Sequence, residues 1–177
     1  GADLAGKSLL LVGEQGLGDE ILFANTLPDI LERLGPSGRL TLAVEPRLVS
    51  LFQRSFPQAE VGGHATYKLE GRSLRVMPFL EGRLNGIDLW APLASPLREF
   101  RRAPEDFPDR PGYLTADPER VAHWRAVLGS APAGRKVGLL WKSAISNSGR
   151  HRFFSPFDQW APVLKSPGVT FVNLQYG

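Results

Sequence analysis

The chain has 177 residues, which at about 150 residues per domain is one domain or one and part of a second. It is 42% hydrophobic and 22% charged with net charge +3, a globular composition that argues against disorder. Cysteine is absent, which excludes disulfides, thiolate metal sites and a cysteine nucleophile, and no apolar run approaches the ~18 residues of a membrane-spanning helix.

Ser8 to Gly13 is a short apolar run closed by glycine, the pattern of a strand buried on both faces. From Asp19, Phe23, Leu27, Ile30, Leu31 and Leu34 fall at helical spacing, and Gly35-Pro36 ends the helix. Pro28 lies inside this pattern, so a kink is expected there. Arg39 to Val44 reads as a second strand, and Pro46 opens a helix that runs through Phe56. Leu74 to Met77 and Ile87 to Ala91 are weaker strand candidates. Residues 92–116 are rich in proline and arginine and read as a connector with one helical turn near Leu97.

A second unit is expected from Asp117, which can cap a helix begun by Pro118, with Val121, Trp124 and Leu128 on one face and Gly129 at its end. Lys136 to Trp141 is a buried-type strand. A polar loop follows, then a helix from Ser155-Pro156 and a last strand from Val169 to Leu174. Strand, helix and strand in this order predict a parallel sheet with right-handed crossovers. The expected class is α/β, a Rossmann-like parallel sheet with flanking helices over residues 1–116. Residues 117–177 read as a second Rossmann-like unit cut short. The open sheet edge predicts self-association or a covering chain. Gly1 is not an initiator methionine and no secretory plan follows it, so the chain reads as part of something longer. A cytoplasmic location is the matching expectation.

The charge is uneven. Residues 1–119 carry 13 basic and 17 acidic residues, whereas residues 120–177 carry 8 basic residues and the single acid Asp158. A basic C-terminal third points to an anionic partner. The cations are neither interleaved with aromatics nor gathered in a tract, so nucleic acid is not expected. His64, His123 and His151 lack ligand spacing, and no metal is expected.

Three segments invite a functional reading. Gly1 to Ser8 matches the P-loop pattern, but a strand follows it where a helix is required, which removes the reading. Glu14-Gln15-Gly16-Leu17-Gly18-Asp19-Glu20 lies between the first strand and the first helix, where ligands bind in open α/β sheets. Gly16 and Gly18 permit a tight turn or close approach to a ligand. Asp19 at the helix start can cap the helix or take a proton from a substrate hydroxyl. The third segment, residues 142–152, offers Lys142, Ser143, Arg150 and Arg152 for a phosphate, with the next helix start behind it. A mobile basic surface loop is the competing reading. The four tryptophans read as core or subunit packing.

The Glu14-to-Glu20 run followed by Pro28 resembles the start of the heptosyltransferase-like GT-B glycosyltransferases, in the bacterial branch commonly fused to tetratricopeptide repeats. Asp88-Leu-Trp-Ala-Pro92-Leu-Ala-Ser-Pro96 resembles a stretch of that branch, one leucine short. Val137 to Ser143, then Asn147, Arg150, Arg152, Pro156 and Trp160, resembles the start of its donor domain, and Pro167 to Gly177 fits as well.

The resemblance implies a two-domain enzyme that moves a sugar from a nucleotide-sugar to an acceptor hydroxyl on a glycan or protein. It implies Asp19 as general base, an acceptor loop of Glu14, Gln15, Gly16 and Gly18, and diphosphate contacts from Lys142, Ser143, Arg150 or Arg152. No metal or other cofactor is implied. Pro28 stands nine residues after Asp19, farther than in plain heptosyltransferases, so their acceptor contacts do not transfer. The later Asp-Thr-Gly motif of the donor domain is absent from this sequence, which alone should therefore be inactive. The alternative is a non-catalytic binding or interaction module that retains the GT-B fold.

Overall fold

A computed structural model describes residues 2–14, 16–142 and 154–175. The chain divides into two compact units, Gly1–Arg120 and Val121–Gly177.

The first unit is built on β1 (Ser8–Val12), β2 (Arg39–Val44), β3 (Ala59–Gly63) and β6 (Leu89–Pro92). They form one sheet in the order β3-β2-β1-β6, with every pairing parallel. Leu9 stands opposite Leu40 and Leu89, and Leu42 opposite Val61. Period-two alternation sends Leu9 and Leu11 to one face and Leu10 to the other. On the first face they meet Leu27, Ile30, Leu34, Phe52 and Phe56, all buried. These come from α2 (Leu27–Leu34), α3 (Val49–Ser55) and the residue after it. On the second face Leu10 and Ala43 pack under Leu80, Met77, Phe79 and Ile87. Burial on both faces is why β1 and β2 read as continuous apolar runs, whereas β3, Ala-Glu-Val-Gly-Gly, carries no such run and was not expected from the sequence.

The expected single helix with a kink is two helices. α1 (Leu17–Phe23) ends in a 3₁₀ turn at Ala24–Thr26, and α2 begins at Leu27 with Pro28 in its first turn. Proline lacks the N–H that would bond to the Ala24 carbonyl, so the α-ladder cannot continue through it. Asn25 Nδ2 and Thr26 Oγ1 donate to the carbonyls of Leu22 and Phe23, at 2.6 and 3.1 Å. Gly35 then leaves α2 at φ +66°, a conformation that disfavours side chains.

Between β3 and β6 the chain forms an antiparallel hairpin, β4 (Ala65–Leu69) and β5 (Arg72–Val76). Leu74 marked only its second arm. Glu70 and Gly71 make its turn with φ +50° and +76°, the two positive values of a type I′ connection. The connector after β6 carries α4 (Leu97–Phe100) and is stitched back to the helices. Buried Arg101 donates to Asn25 and, at 2.6 Å, to Asp29, while Arg110 donates to the other Asp29 oxygen at 2.9 Å. Tyr113 Oη donates to the Ile21 carbonyl at 2.7 Å.

Helix α5 (Pro118–Gly129) starts as expected, with Asp117 Oδ1 accepting from the amides of Glu119 and Arg120. In the second unit β7 (Arg135–Leu139) pairs in parallel with β8 (Val169–Asn173), Arg135 opposite Val169. The expected helix from Ser155-Pro156 is a 3₁₀ turn over Phe157–Trp160 followed by the short α6 (Ala161–Leu164). No described residue from 121 to 175 is fully buried. No helix among the described residues is long and apolar enough to cross a membrane.

Candidate functional site

The carboxyl edge of the four-stranded sheet is where the chemistry-bearing side chains of the first unit gather. The chain leaves β1 at Gly13, whose amide donates to the Ala43 carbonyl at 2.7 Å. It turns through Glu14 and Gly16 into α1, where the amides of Asp19 and Glu20 both donate to the Gly16 carbonyl. Glu14, Gly16, Gly18 and Asp19 are all exposed. The Gly16 amide donates to Asp19 Oδ2 at 3.1 Å. Asp19 therefore closes the first helical turn with one oxygen. The other has no protein partner among the hydrogen bonds of the described residues.

The next residue faces the opposite way. Glu20 is 1% exposed, the one fully buried acid in the described chain. Its Oε2 accepts from the Glu45 amide, just after β2, at 2.8 Å. Its Oε1 lies 3.1 Å from His64 Nε2, just after β3, and 3.9 Å from Arg75 Nη1 on β5. His64 is itself buried. A carboxylate only accepts, so this contact places the imidazole hydrogen on Nε2. The His64 Nδ1 atom is also buried and has no hydrogen-bond partner among the described residues. The carboxylate of Glu20 rests on Gly13 so closely that a Cβ there would stand 2.3 Å from Oε1. Four segments, at residues 13, 45, 64 and 75, thus converge on one carboxylate.

Of the residues singled out by sequence, Glu14, Gly16, Gly18 and Asp19 fall together on this edge. Gln15, Ser143, Arg150 and Arg152 lie outside the described residues. Lys142 is exposed in the second unit, where its amide donates to Gln175 Oε1 at 3.2 Å. Glu20 closes the Glu14-to-Glu20 run, which points to no role for it, and His64 and Arg75 belong to no motif. Their one legible signal is position, since Glu20 follows Asp19; His64 follows β3, whose Ala-Glu-Val-Gly-Gly sequence announces nothing. Among the described residues no cluster of three or more His, Cys, Asp or Glu side chains offers a metal site.

Parallel strands, helices on one face and a glycine turn at the carboxyl edge of β1 define an α/β unit of Rossmann-like plan. The chain is 54% identical over all its 177 residues to Protein FlbA of Caulobacter vibrioides. It spans 30% of that protein's length. No family model matches the chain, and no solved structure matches it.

Proposed function

We propose that the chain is part of a cytoplasmic glycosyltransferase of the heptosyltransferase-like GT-B type, contributing the acceptor side and the start of the donor side. Asp19 is the general base that takes the proton from an acceptor hydroxyl as the sugar leaves its nucleoside diphosphate. One observation carries this reading: an exposed carboxylate at the carboxyl edge of β1, on a glycine turn between strand and helix. Parallel α/β sheets bind ligands at that edge, and a base must be reachable by the hydroxyl it serves. Lys142, Arg150 and Arg152, with Ser143, meet the diphosphate and stabilise the charge that develops on it. No metal is needed for either step.

The experiment is a panel of nucleotide-sugars offered to the full-length protein that contains this chain, with release of nucleoside diphosphate as the readout. Release with one or a few sugars is expected. Binding of a nucleotide-sugar by thermal shift, with no release in the presence of acceptors, contradicts the enzymatic reading.

A second reading rests on the Gly16 amide bonded to Asp19 Oδ2. If capping is the whole role of Asp19, the chain is a binding module that keeps the fold without the chemistry.

A further inference from the structure

We infer that Glu20 is a positioning residue that holds the Asp19 turn at the sheet edge, with His64 and Arg75 as its supports. This rests on the reading of Asp19 as the reacting group and goes beyond it by naming what fixes that group in place.

Asp19 sits on an exposed turn, and among the described residues its side chain makes one hydrogen bond, local to the turn. Left to itself such a turn samples several positions, since glycines 16 and 18 restrict it little. Glu20 removes that freedom. It is the next residue, it lies on the same first helical turn, and its carboxylate is buried. Its two oxygens reach the amide after β2 and the imidazole after β3. Neither partner is on the turn itself, so the helix start is tied to two neighbouring strands of the sheet. Gly13 completes the arrangement, because its missing side chain leaves the space the carboxylate fills. Arg75 approaches from the hairpin and brings positive charge to within 3.9 Å of Oε1.

A buried carboxylate without partners is costly, so it persists where the fold supplies donors. The donors here come from residues 45 and 64, with the Arg75 cation 3.9 Å away, all distant in sequence. A leucine at position 20 would fill a helix–sheet contact more simply. The use of a carboxylate gives the turn a directional anchor, which apolar packing does not.

The test compares Glu20→Ala and Glu20→Gln in the full-length protein. Glutamine can still accept from the Glu45 amide and donate to a His64 tautomer with a bare Nε2, whereas alanine can do neither. With the nucleotide-sugar that the wild type turns over, Glu20→Ala is expected to lower kcat about 100-fold with KM changed less than about threefold. Glu20→Gln should recover most of that loss. In an Asp19→Asn background neither change should lower kcat further, because the group being positioned is gone. Equal kcat per folded molecule in wild type and Glu20→Ala overturns the inference, as does additivity with Asp19→Asn. If the wild type turns over no nucleotide-sugar, the transfer reading fails and the positioning claim is decided by amide hydrogen exchange. Glu20→Ala should then speed exchange at residues 16–20 at least tenfold more than in the middle of β1 and β2. Uniform acceleration, or none, overturns it.

Discussion

Two adjacent carboxylates divide the labour at the edge of the first unit. Asp19 is exposed and Glu20 is buried, because a helix turns each residue by about 100° relative to the last. Their opposite surroundings give opposite expectations for substitution. Gly13→Ala should cost about 2 kcal/mol, because its Cβ would press on the Glu20 carboxylate and break two buried contacts; urea unfolding measures it. Asp29 carries a pH dependence. Burial raises its pKa, but hydrogen bonds and charge from Arg101 and Arg110 outweigh this and hold it below the usual carboxylate range. A depressed folded pKa means that the stabilisation is complete above the unfolded value of about 3.9. It is lost as pH falls from there through the folded value. Asp29→Asn should therefore flatten the acid limb of the stability curve and cost about 2 kcal/mol at neutral pH, because the buried Arg101 loses its counter-charge. An acid limb that is unchanged in the variant contradicts this. The Asp19 turn was legible in the sequence because an apolar run closing on glycine announces the end of a buried strand. The burial of Glu20, the last residue of the same run, was not, because nothing local distinguishes it from its neighbour. Only the pairing of β1 with β2 and of β2 with β3 brings residues 45 and 64 against it.

At the scale of elements, the parallel strands β1, β2, β6, β7 and β8 were readable from apolar runs, and the helices from apolar spacing and their proline and glycine ends; β3 was missed, because Ala59-Glu60-Val61-Gly62-Gly63 holds no apolar run. The break before Pro28 shows where periodicity misleads: the same apolar stripe serves two helices in succession, and the backbone donor missing from proline sets the division. The hairpin was half visible because its apolar residues lie on one face and are exposed; Tyr67 and Leu74 stand opposite each other at 59% and 49% exposure. Such a strand pair has no core to give it a strong pattern. Its turn offers a test of geometry. Glu70 holds φ +50°, which favours asparagine, and Glu70→Asn should stabilise by about 0.5 kcal/mol, seen as a rise in Tm. A fall in Tm contradicts the type I′ assignment. Gly62→Ala on β3 should cost about 2 kcal/mol, since its Cβ would stand 2.4 Å from the Phe79 ring.

Across the molecule, charge and burial are unevenly shared. The first unit has a well-filled core, whereas residues 121–175 present Trp124, Leu140, Phe157 and Leu174 about half exposed. Trp90, expected as packing, is 72% exposed on edge strand β6. Open parallel edges and exposed tryptophans favour pairing with another chain. The isolated 177-residue chain should accordingly self-associate in light scattering, and a strict monomer at high concentration contradicts this. The distribution of charge along the chain, not its net value, revealed the basic C-terminal third from sequence alone. Whether those cations serve a ligand does not follow from charge, since cations also solvate ordinary surfaces.

The role proposed for Asp19 is to take a proton during sugar transfer. Its most direct measurement is turnover of the full-length protein carrying Asp19→Asn, with folding checked by thermal melting. A loss of at least about 100-fold in kcat, with Tm nearly unchanged, is the expected result. Wild-type turnover from the folded variant contradicts it.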